Sequence, residues 1–420
     1  MSSNVSTLNV FLYDELVGTI TNVGSDRSLF ALTQDYIENT DRSTLSLGFK
    51  DSLGEMITDF KPTQTKLLPF FSNLLPEDEM RRYLAERANV NPEREFFLLW
   101  VLGQDLTGAI TIKPADGEEL PPSVSDPVDG SEKNKDAAMR FSLAGVQLKF
   151  SAVKHASGGL TIPASGMGGT WIVKLPSSKF EDVPENEFSM MELARKIGMD
   201  VPKTQLLNIG DIENIPNGIG QFGYSAFAVE RFDRIDGGGS VHVEDFAQVF
   251  GVYPDDKYKK ASMRNIAEVI GIEGQEDDIA EFTRRLVFNT LIGNADMHLK
   301  NWSLIYNDKR SVSIAPAYDF VSTIPYFANK DAALKVSRSK KFADFTMDEL
   351  SHLAAKARLP EKLVLDTAEE TVSLFHEIWQ KEKNNLALSR GVIEAIEQHL
   401  ETLPIVKKSN SVMSTNLRKN

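Results

Sequence analysis

Short runs in which apolar and polar side chains alternate open the chain. "LNVFLYDELVGTI" (8–20) and "LFALTQDYI" (29–37) read as strands separated by turn residues. The pattern then changes to helical spacing in "LLPFFSNLLPEDEMRRYLAERA" (67–88). Within it, Pro76 followed by Glu77, Asp78 and Glu79 marks a helix start, because the positive end of the helix dipole favours acids. "GAITIKP" (108–114) reads as a strand. Residues 115–137 are rich in Pro, Asp, Ser and Glu with almost no large apolar side chains, the composition of a linker or loop.

Beyond this break, "MRFSLAGVQLKFSAV" (139–153), "GGTWIVKLP" (168–176), "TQLLNIG" (204–210) and "YSAFAVERFDR" (224–234) read as strands. "NEFSMMELARKIGM" (186–199) is an amphipathic helix closed before Pro202. From about residue 240 the spacing is mostly helical, and "EKLVLDTAEETVSLFHEIWQKEKNN" (361–385) reads as a helix that packs inside its lobe. One short β pair interrupts this region, "WSLIY…SVSIAPAYD" (302–319), around the turn "NDKR". The order predicts a mixed lobe, a linker, a β-rich lobe with one helix, and a helical lobe. Such an order can frame a cleft between the last two.

Composition adds bounds. At 420 residues, 41% apolar and 25% charged, the chain reads as globular with two or three domains. It has no cysteine, which excludes disulfides and thiolate metal sites. The net charge of −14 argues against broad nucleic-acid affinity. The last sixteen residues reverse that balance, with four basic side chains and no acid, and read as a frayed tail. The longest apolar run, "FFLLWVLG" (96–103), falls well short of the roughly 20 residues of a membrane helix. No basic segment followed by an apolar core opens the chain, so no secretory leader and no membrane association are expected.

Candidate chemistry concentrates in "GNADMHLKNWS" (293–303), directly after the apolar run "RRLVFNTLI". Asp296 and Asn301 stand in the pattern D-x-x-x-x-N, and Asp319 follows in "PAYDF". Phosphoryl transfer needs these types in this order: a carboxylate to take the proton of the attacking hydroxyl, then an amide oxygen and a second carboxylate for magnesium. Spacing alone does not separate this from a solvated turn, so the reading requires an upstream nucleotide cradle. Lys174, inside the apolar strand "WIVKLP", is either an edge-strand lysine facing water or an ammonium aimed at phosphates. Glu187, opening the 186–199 helix, is its possible lysine partner or simply dipole-complementary. Ala144 and Gly145 leave room for backbone N–H groups to approach an anion. "SGMGGT" (165–170) reads as a hairpin instead. Six histidines without an H-x-x-x-H pair, and no G-x-S-x-G, disfavour zinc hydrolases and serine hydrolases.

Taken together, "FSLAGVQLKF", "WIVKLP", "AVERFDR", "GNADMHLKNWS" and "PAYDF" resemble the HipA family. These are bacterial serine/threonine kinases that act as toxins of type II toxin–antitoxin modules. The resemblance covers nearly the whole chain and implies an α+β, bilobal protein-kinase-like fold. Its parts would be an N-terminal subdomain (1–113), a polar linker (114–137), a β-rich nucleotide lobe (138–238), a helical catalytic lobe (239–404) and a basic flexible tail (405–420). It implies Asp296 as catalytic base, Asn301 and Asp319 as magnesium ligands, and Lys174 on the nucleotide phosphates. Ala144, Gly145, Val146, Gln147 and Leu148 would form the phosphate loop, Leu148 through its backbone alone, since some relatives carry an acid there. Glu230, Arg231 and Phe232 would form the hinge that meets adenine, while His298, Lys300 and Tyr318 would line the nucleotide site. Ser142 matches the family's autophosphorylated serine. The cofactors implied are ATP and Mg2+. The implied partners are a HipB-like DNA-binding antitoxin, with DNA contacted only through it, and a protein substrate, glutamyl-tRNA synthetase in the best-known case. Two alternatives stay open: a small-molecule or lipid kinase, and a catalytically silent corepressor.

Overall fold

The computed structural model describes residues 5–118, 148–154, 160–161, 169–215, 223–235, 237–327 and 331–407. Ser142, Ala144, Gly145, Val146 and Gln147 lie outside the described residues, as do most of 115–137 and residues 408–420. The chain divides into two compact units. The first comprises Met1–Glu181, Leu207–Asp256 and Ser303–Ser311; the second comprises Asp182–Leu206, Lys257–Trp302 and Val312–Asn420.

The first unit begins with an antiparallel sheet built from β1 (Thr7–Leu12), β2 (Glu15–Gly24), β3 (Arg27–Leu32), β4 (Thr63–Gln64) and β5 (Ile110–Pro114), in the order β4-β3-β2-β1-β5. Tyr13 and Asp14, then Ser25 and Asp26, all take positive φ, the twist that closes two-residue hairpins. Leu8, Val10 and Leu12 point alternately into the core. The strand expected to run through "LFALTQDYI" stops at Leu32. Thr33 accepts the Tyr36 N–H at 3.3 Å and caps a short helix, Gln34–Glu38, so local capping overrides the alternating pattern. Helix Glu95–Leu102 is buried along its whole length, which explains why its sequence is apolar on every face. The first residues after β5 are tied down: Ala115 donates to Thr7 O at 3.0 Å, and Glu118 accepts from the Ser6 N–H at 2.8 Å.

A second sheet in the same unit contains β6 (Lys149–Lys154), β7 (Leu160–Thr161), β8 (Trp171–Lys174), β10 (Ile212–Glu213) and β11 (Ser225–Glu230), in the order β10-β7-β6-β8-β11. Strand β9 covers Thr204–Asn208. The region after residue 240 contains a strand that its spacing did not predict. β12 (His242–Asp245) pairs antiparallel with β13 (Ser303–Tyr306), His242 opposite Tyr306. Four residues are too few for a period, and the partner lies some sixty positions away, so only long-range pairing reveals it.

The second unit holds β14 (Ser313–Ile314) and six helices of eleven or more residues among those described. Helix Glu276–Leu291 is its centre and is buried over most of its length, against helices Met263–Glu273, Glu361–Glu382 and Arg390–Thr402. The long helix buries Val364, Ala368, Val372, Phe375 and Trp379 at helical spacing, the internal packing role expected of it. The helix expected at 186–199 spans Val183–Lys196, because Pro184 suits a first turn and Gly198, at φ 94°, ends it. Glu187 therefore sits in the second turn and is buried, rather than at the helix start. Ile405 is also buried, although residues 405–420 read as a frayed tail.

Candidate active site

The "GNADMHLKNWS" segment is built outward from helix Glu276–Leu291. That helix carries three acids in its first turn, and Asp278 accepts both the Gln275 N–H and the Ile314 N–H at 2.8 Å. It ends in a left-handed cap at Gly293, φ 67°. Gly293 N–H reaches Thr290 O at 3.2 Å, and Asn294 N–H reaches Asn289 O at 2.9 Å, the paired bonds of a Schellman motif. A side chain at 293 would meet Ile324 at 2.6 Å, so glycine is required twice over.

Side-chain amides then shape the loop. Asn294 is buried; its Nδ2 donates to Asn289 Oδ1 at 2.8 Å, and its Oδ1 accepts the Asp296 N–H at 3.0 Å. Thr323 Oγ1 accepts the Ala295 N–H at 2.7 Å. Asn301 Oδ1 accepts the His298 N–H at 2.9 Å, and Asn301 N–H donates to His298 O at 3.0 Å, fixing the interval between the two. Every backbone step from Gly293 to Asn301 is thus held by a named partner or lies one residue from one. Catalysis by positioning needs that rigidity.

These bonds bring the predicted residues together. Asn301 Nδ2 donates to Asp319 Oδ2 at 3.1 Å, although 18 residues separate them. Asp319 itself takes the left-handed conformation, φ 56°, which points its side chain back to the loop. Tyr318 OH donates to Lys300 O at 2.9 Å, so Tyr318 braces the loop and Lys300 is held through its backbone. Asn301, Tyr318 and Asp319 line one small crevice with Asn294, Met297 and Trp302. Asp296 is exposed at the loop's outer turn. One neighbour was not anticipated: Tyr258 OH donates to Asp296 Oδ1 at 2.6 Å, while its ring meets His298 edge-on at 4.9 Å. A lone tyrosine carries no spacing signal, so the sequence offered no means of finding it.

Among the described residues, no three His, Cys, Asp or Glu side chains gather into a metal cage. Magnesium held largely by nucleotide phosphates needs only one or two protein oxygens. Asn301 and Asp319, one amide and one carboxylate in contact, fit that sparse donor set.

Of the other predicted residues that the structure describes, Leu148, Lys174, Glu230, Arg231 and Phe232 lie in or directly beside the first unit's second sheet, and Glu187 lies on its helix in the second unit. Strand β8 is flanked by β6 and β11, with Lys174 opposite both Lys149 and Phe227. Lys174 is therefore not on an edge strand, and its Nζ lies 5.8 Å from the Phe227 ring centroid. Leu148 is buried, and its carbonyl accepts the Leu175 N–H at 2.8 Å, which commits its backbone to the sheet. Glu230 ends β11 opposite Trp171, and Phe232 follows one residue beyond Arg231. The Arg231 side chain is buried against Asp105 and Asp233.

Residues 8–113 match the model of the HipA N-terminal domain, and residues 141–379 match that of the HipA-like C-terminal domain. The chain is 54% identical over 407 residues to the Sinorhizobium fredii protein named "Putative kinase Y4dM", covering 96% of this chain and 98% of that one. It is 28% identical over 299 residues to the serine/threonine-protein kinase toxin HipA of Shewanella oneidensis, covering 63% and 65%. Its fold matches HipA in the solved Shewanella oneidensis complex of HipA, HipB and operator DNA. The TM-score is 0.70 at 22% identity, over 96% of this chain and 97% of that one. No described helix is long and apolar enough to cross a membrane. Both domain models, the near-full-length relative and the kinase-like fold lead to one conclusion: the chain belongs to the HipA family of serine/threonine-protein kinases.

Proposed function

We propose that this chain transfers the γ-phosphoryl group of ATP, with magnesium, to a serine or threonine hydroxyl of a protein, and that it works as the toxin of a toxin–antitoxin pair in the cytoplasm. The observation that carries the reading is the contact of Asp319 with Asn301, which shares one braced loop with the exposed Asp296. Asp296 accepts the proton of the attacking alcohol as the new O–P bond forms and the bond to ADP breaks. Asn301 and Asp319 hold the metal, which when bound offsets the negative charge of the phosphates. Lys174 and Lys300 meet phosphate oxygens, with Ala144 to Leu148 as the phosphate loop. Backbone of the 230–232 hinge meets adenine. His298, met edge-on by the Tyr258 ring, lines the phosphate side of the site.

Three finer readings accompany this one. Ser142 is an autophosphorylation site; a phosphate of about −1.5 to −2 charge beside the phosphate loop would repel ATP and switch the enzyme off. A small HipB-like antitoxin binds the chain and carries its DNA contacts, a reading supported by the Shewanella oneidensis complex, which joins HipA, HipB and operator DNA. The protein target is a translation component, an aminoacyl-tRNA synthetase such as glutamyl-tRNA synthetase, whose loss of function would arrest growth.

Incubation of wild type and Asp296→Asn with labelled ATP, magnesium and host lysate tests the set. Mass spectrometry should find phosphate on the chain and on a synthetase with wild type alone. Label appearing on lipid or a small metabolite instead would move the reading to a small-molecule or lipid kinase. No transfer at all, with operator binding through an antitoxin intact, would leave a corepressor.

A further inference from the structure

Two buried and two half-buried charges clasp the proposed hinge, and the phosphoryl transfer proposed for this chain uses none of their side chains. Arg231 forks Asp233, with Nε to Oδ1 at 3.0 Å and Nη2 to Oδ2 at 2.9 Å. Its Nη1 also reaches Asp105 Oδ1 at 3.0 Å. Arg234 bridges the same two acids, donating to Asp233 Oδ2 at 2.9 Å and Asp105 Oδ1 at 3.1 Å. Ser151 Oγ donates to Asp105 Oδ2 at 3.2 Å. The four side chains are between 6% and 16% exposed. Two cations and two anions balance, which is the condition for charges to persist at such depth.

The backbone is drawn into the same clasp. Both guanidinium groups donate to Leu106 O, at 3.2 and 2.7 Å, and Arg234 donates to Gly108 O at 3.0 Å. Gly108 N–H returns a bond to Asp233 Oδ2 at 2.8 Å. On its other side, Arg231 N–H donates to Thr170 O at 2.7 Å, extending the β8–β11 ladder by one step. Residues 231–234 are therefore fixed by a strand on one flank and by the 105–108 turn on the other. The following Gly237, Gly238 and Gly239, all at positive φ, would by themselves leave the segment loose.

Asp105, Leu106 and Gly108 fall within the family's N-terminal domain, whereas Ser151, Arg231, Asp233 and Arg234 fall within its C-terminal domain. We propose that Asp105 is a positioning residue for nucleotide binding: the N-terminal domain, through this carboxylate, sets the backbone that reads adenine. The inference rests on the hinge reading of residues 230–232. A hinge recognises the base through backbone groups, so its affinity depends on how tightly that backbone is held. Asp105→Asn keeps the shape but leaves two guanidinium groups facing one carboxylate.

The test uses full-length wild type, Asp105→Asn and the milder Ser151→Ala, each confirmed folded by thermal denaturation. Binding of adenosine, which probes the base end alone, is compared with binding of magnesium tripolyphosphate, which probes the phosphate end. Adenosine affinity should fall about tenfold in Asp105→Asn, the scale of one charge-assisted hydrogen bond, and about threefold in Ser151→Ala. Tripolyphosphate affinity should stay at the wild-type value. Discrimination of ATP over GTP in kcat/KM should fall in parallel with adenosine affinity, which a purely structural role would not cause. Unchanged adenosine affinity in the folded variants overturns the inference while wild-type kinase activity stands. Should Asp105→Asn fail to fold, Ser151→Ala decides. Wild type that binds neither probe and transfers no phosphate would remove the hinge reading and this inference together.

Discussion

Replacing Glu244 by glutamine should change how the first unit responds to pH, in a direction and size that its surroundings specify. Glu244 is fully buried on β12, and accepts the Ser46 hydroxyl at 2.6 Å, the Leu47 N–H at 2.9 Å and the Tyr306 hydroxyl. Burial pushes its carboxyl up from 4.5 to about 7, against the downward pull of those three bonds. Below the unfolded value both states are protonated and the contribution is fully present. Between the two values the folded state keeps a proton that the unfolded state has lost, so stability falls as pH rises; above about 7 the fold buries an anion. At about 1.36 kcal/mol per pH unit, the loss is on the order of 3 kcal/mol. His242, stacked on Tyr306 at 5.3 Å, works the other way. Burial lowers its pKa from 6.5 to about 4, so its contribution is present above 6.5 and lost as pH falls through about 4. The two slopes oppose each other in wild type, and only the difference between variant and wild type isolates Glu244. Glutamine can accept from Leu47 and Tyr306 through Oε1 and donate to Ser46 Oγ through Nε2. Glu244→Gln should therefore match wild type near pH 5 and exceed it near pH 8 by up to about 3 kcal/mol. Thermal denaturation across that range, with exchange of the Leu47 amide reporting this unit, measures the gap. Parallel curves for the two proteins would refute the argument.

Three further outcomes follow from the second unit. Tyr258→Phe keeps the ring on His298 but removes the donor to Asp296, and should lower kcat about tenfold with KM for ATP unchanged, read by steady-state kinetics. Gly293→Ala combines a left-handed backbone with a contact at 2.6 Å to Ile324. It should cost about 2 kcal/mol in denaturant unfolding and reduce kcat by displacing the loop that follows. Glu349 accepts the N–H groups of Ser337 at 2.9 Å and Arg338 at 2.7 Å. It also accepts Arg338 Nε at 2.6 Å. Burial raises its pKa, but these bonds outweigh burial and the net direction is down. Its contribution is therefore present above the unfolded value and lost as pH falls through the depressed one. Glu349→Ala should destabilise the protein by about 2 kcal/mol at neutral pH, and by less in acid, in the same unfolding assay.

The sequence by itself determined whatever depends on near neighbours along the chain. Apolar spacing identified helix Glu361–Glu382, because a helix buries one face every 3.6 residues and its own side chains record that period. Asp296 and Asn301 were legible for the same reason, since five positions in one loop cannot drift far apart. Tertiary structure alone decided the pairings between segments distant in sequence. Lys174 lies in an interior strand because β6 and β11 flank it, yet the same tetrapeptide at an edge would read identically. Arg231 appeared among the nucleotide-site residues, but its side chain is bound to Asp105, 126 positions away. Tyr258 reaches Asp296 across 38 residues, and β12 finds β13 across a longer gap. Local periodicity reports which face of an element is buried and carries no information about what covers it. That choice is made by register and packing when the chain closes on itself.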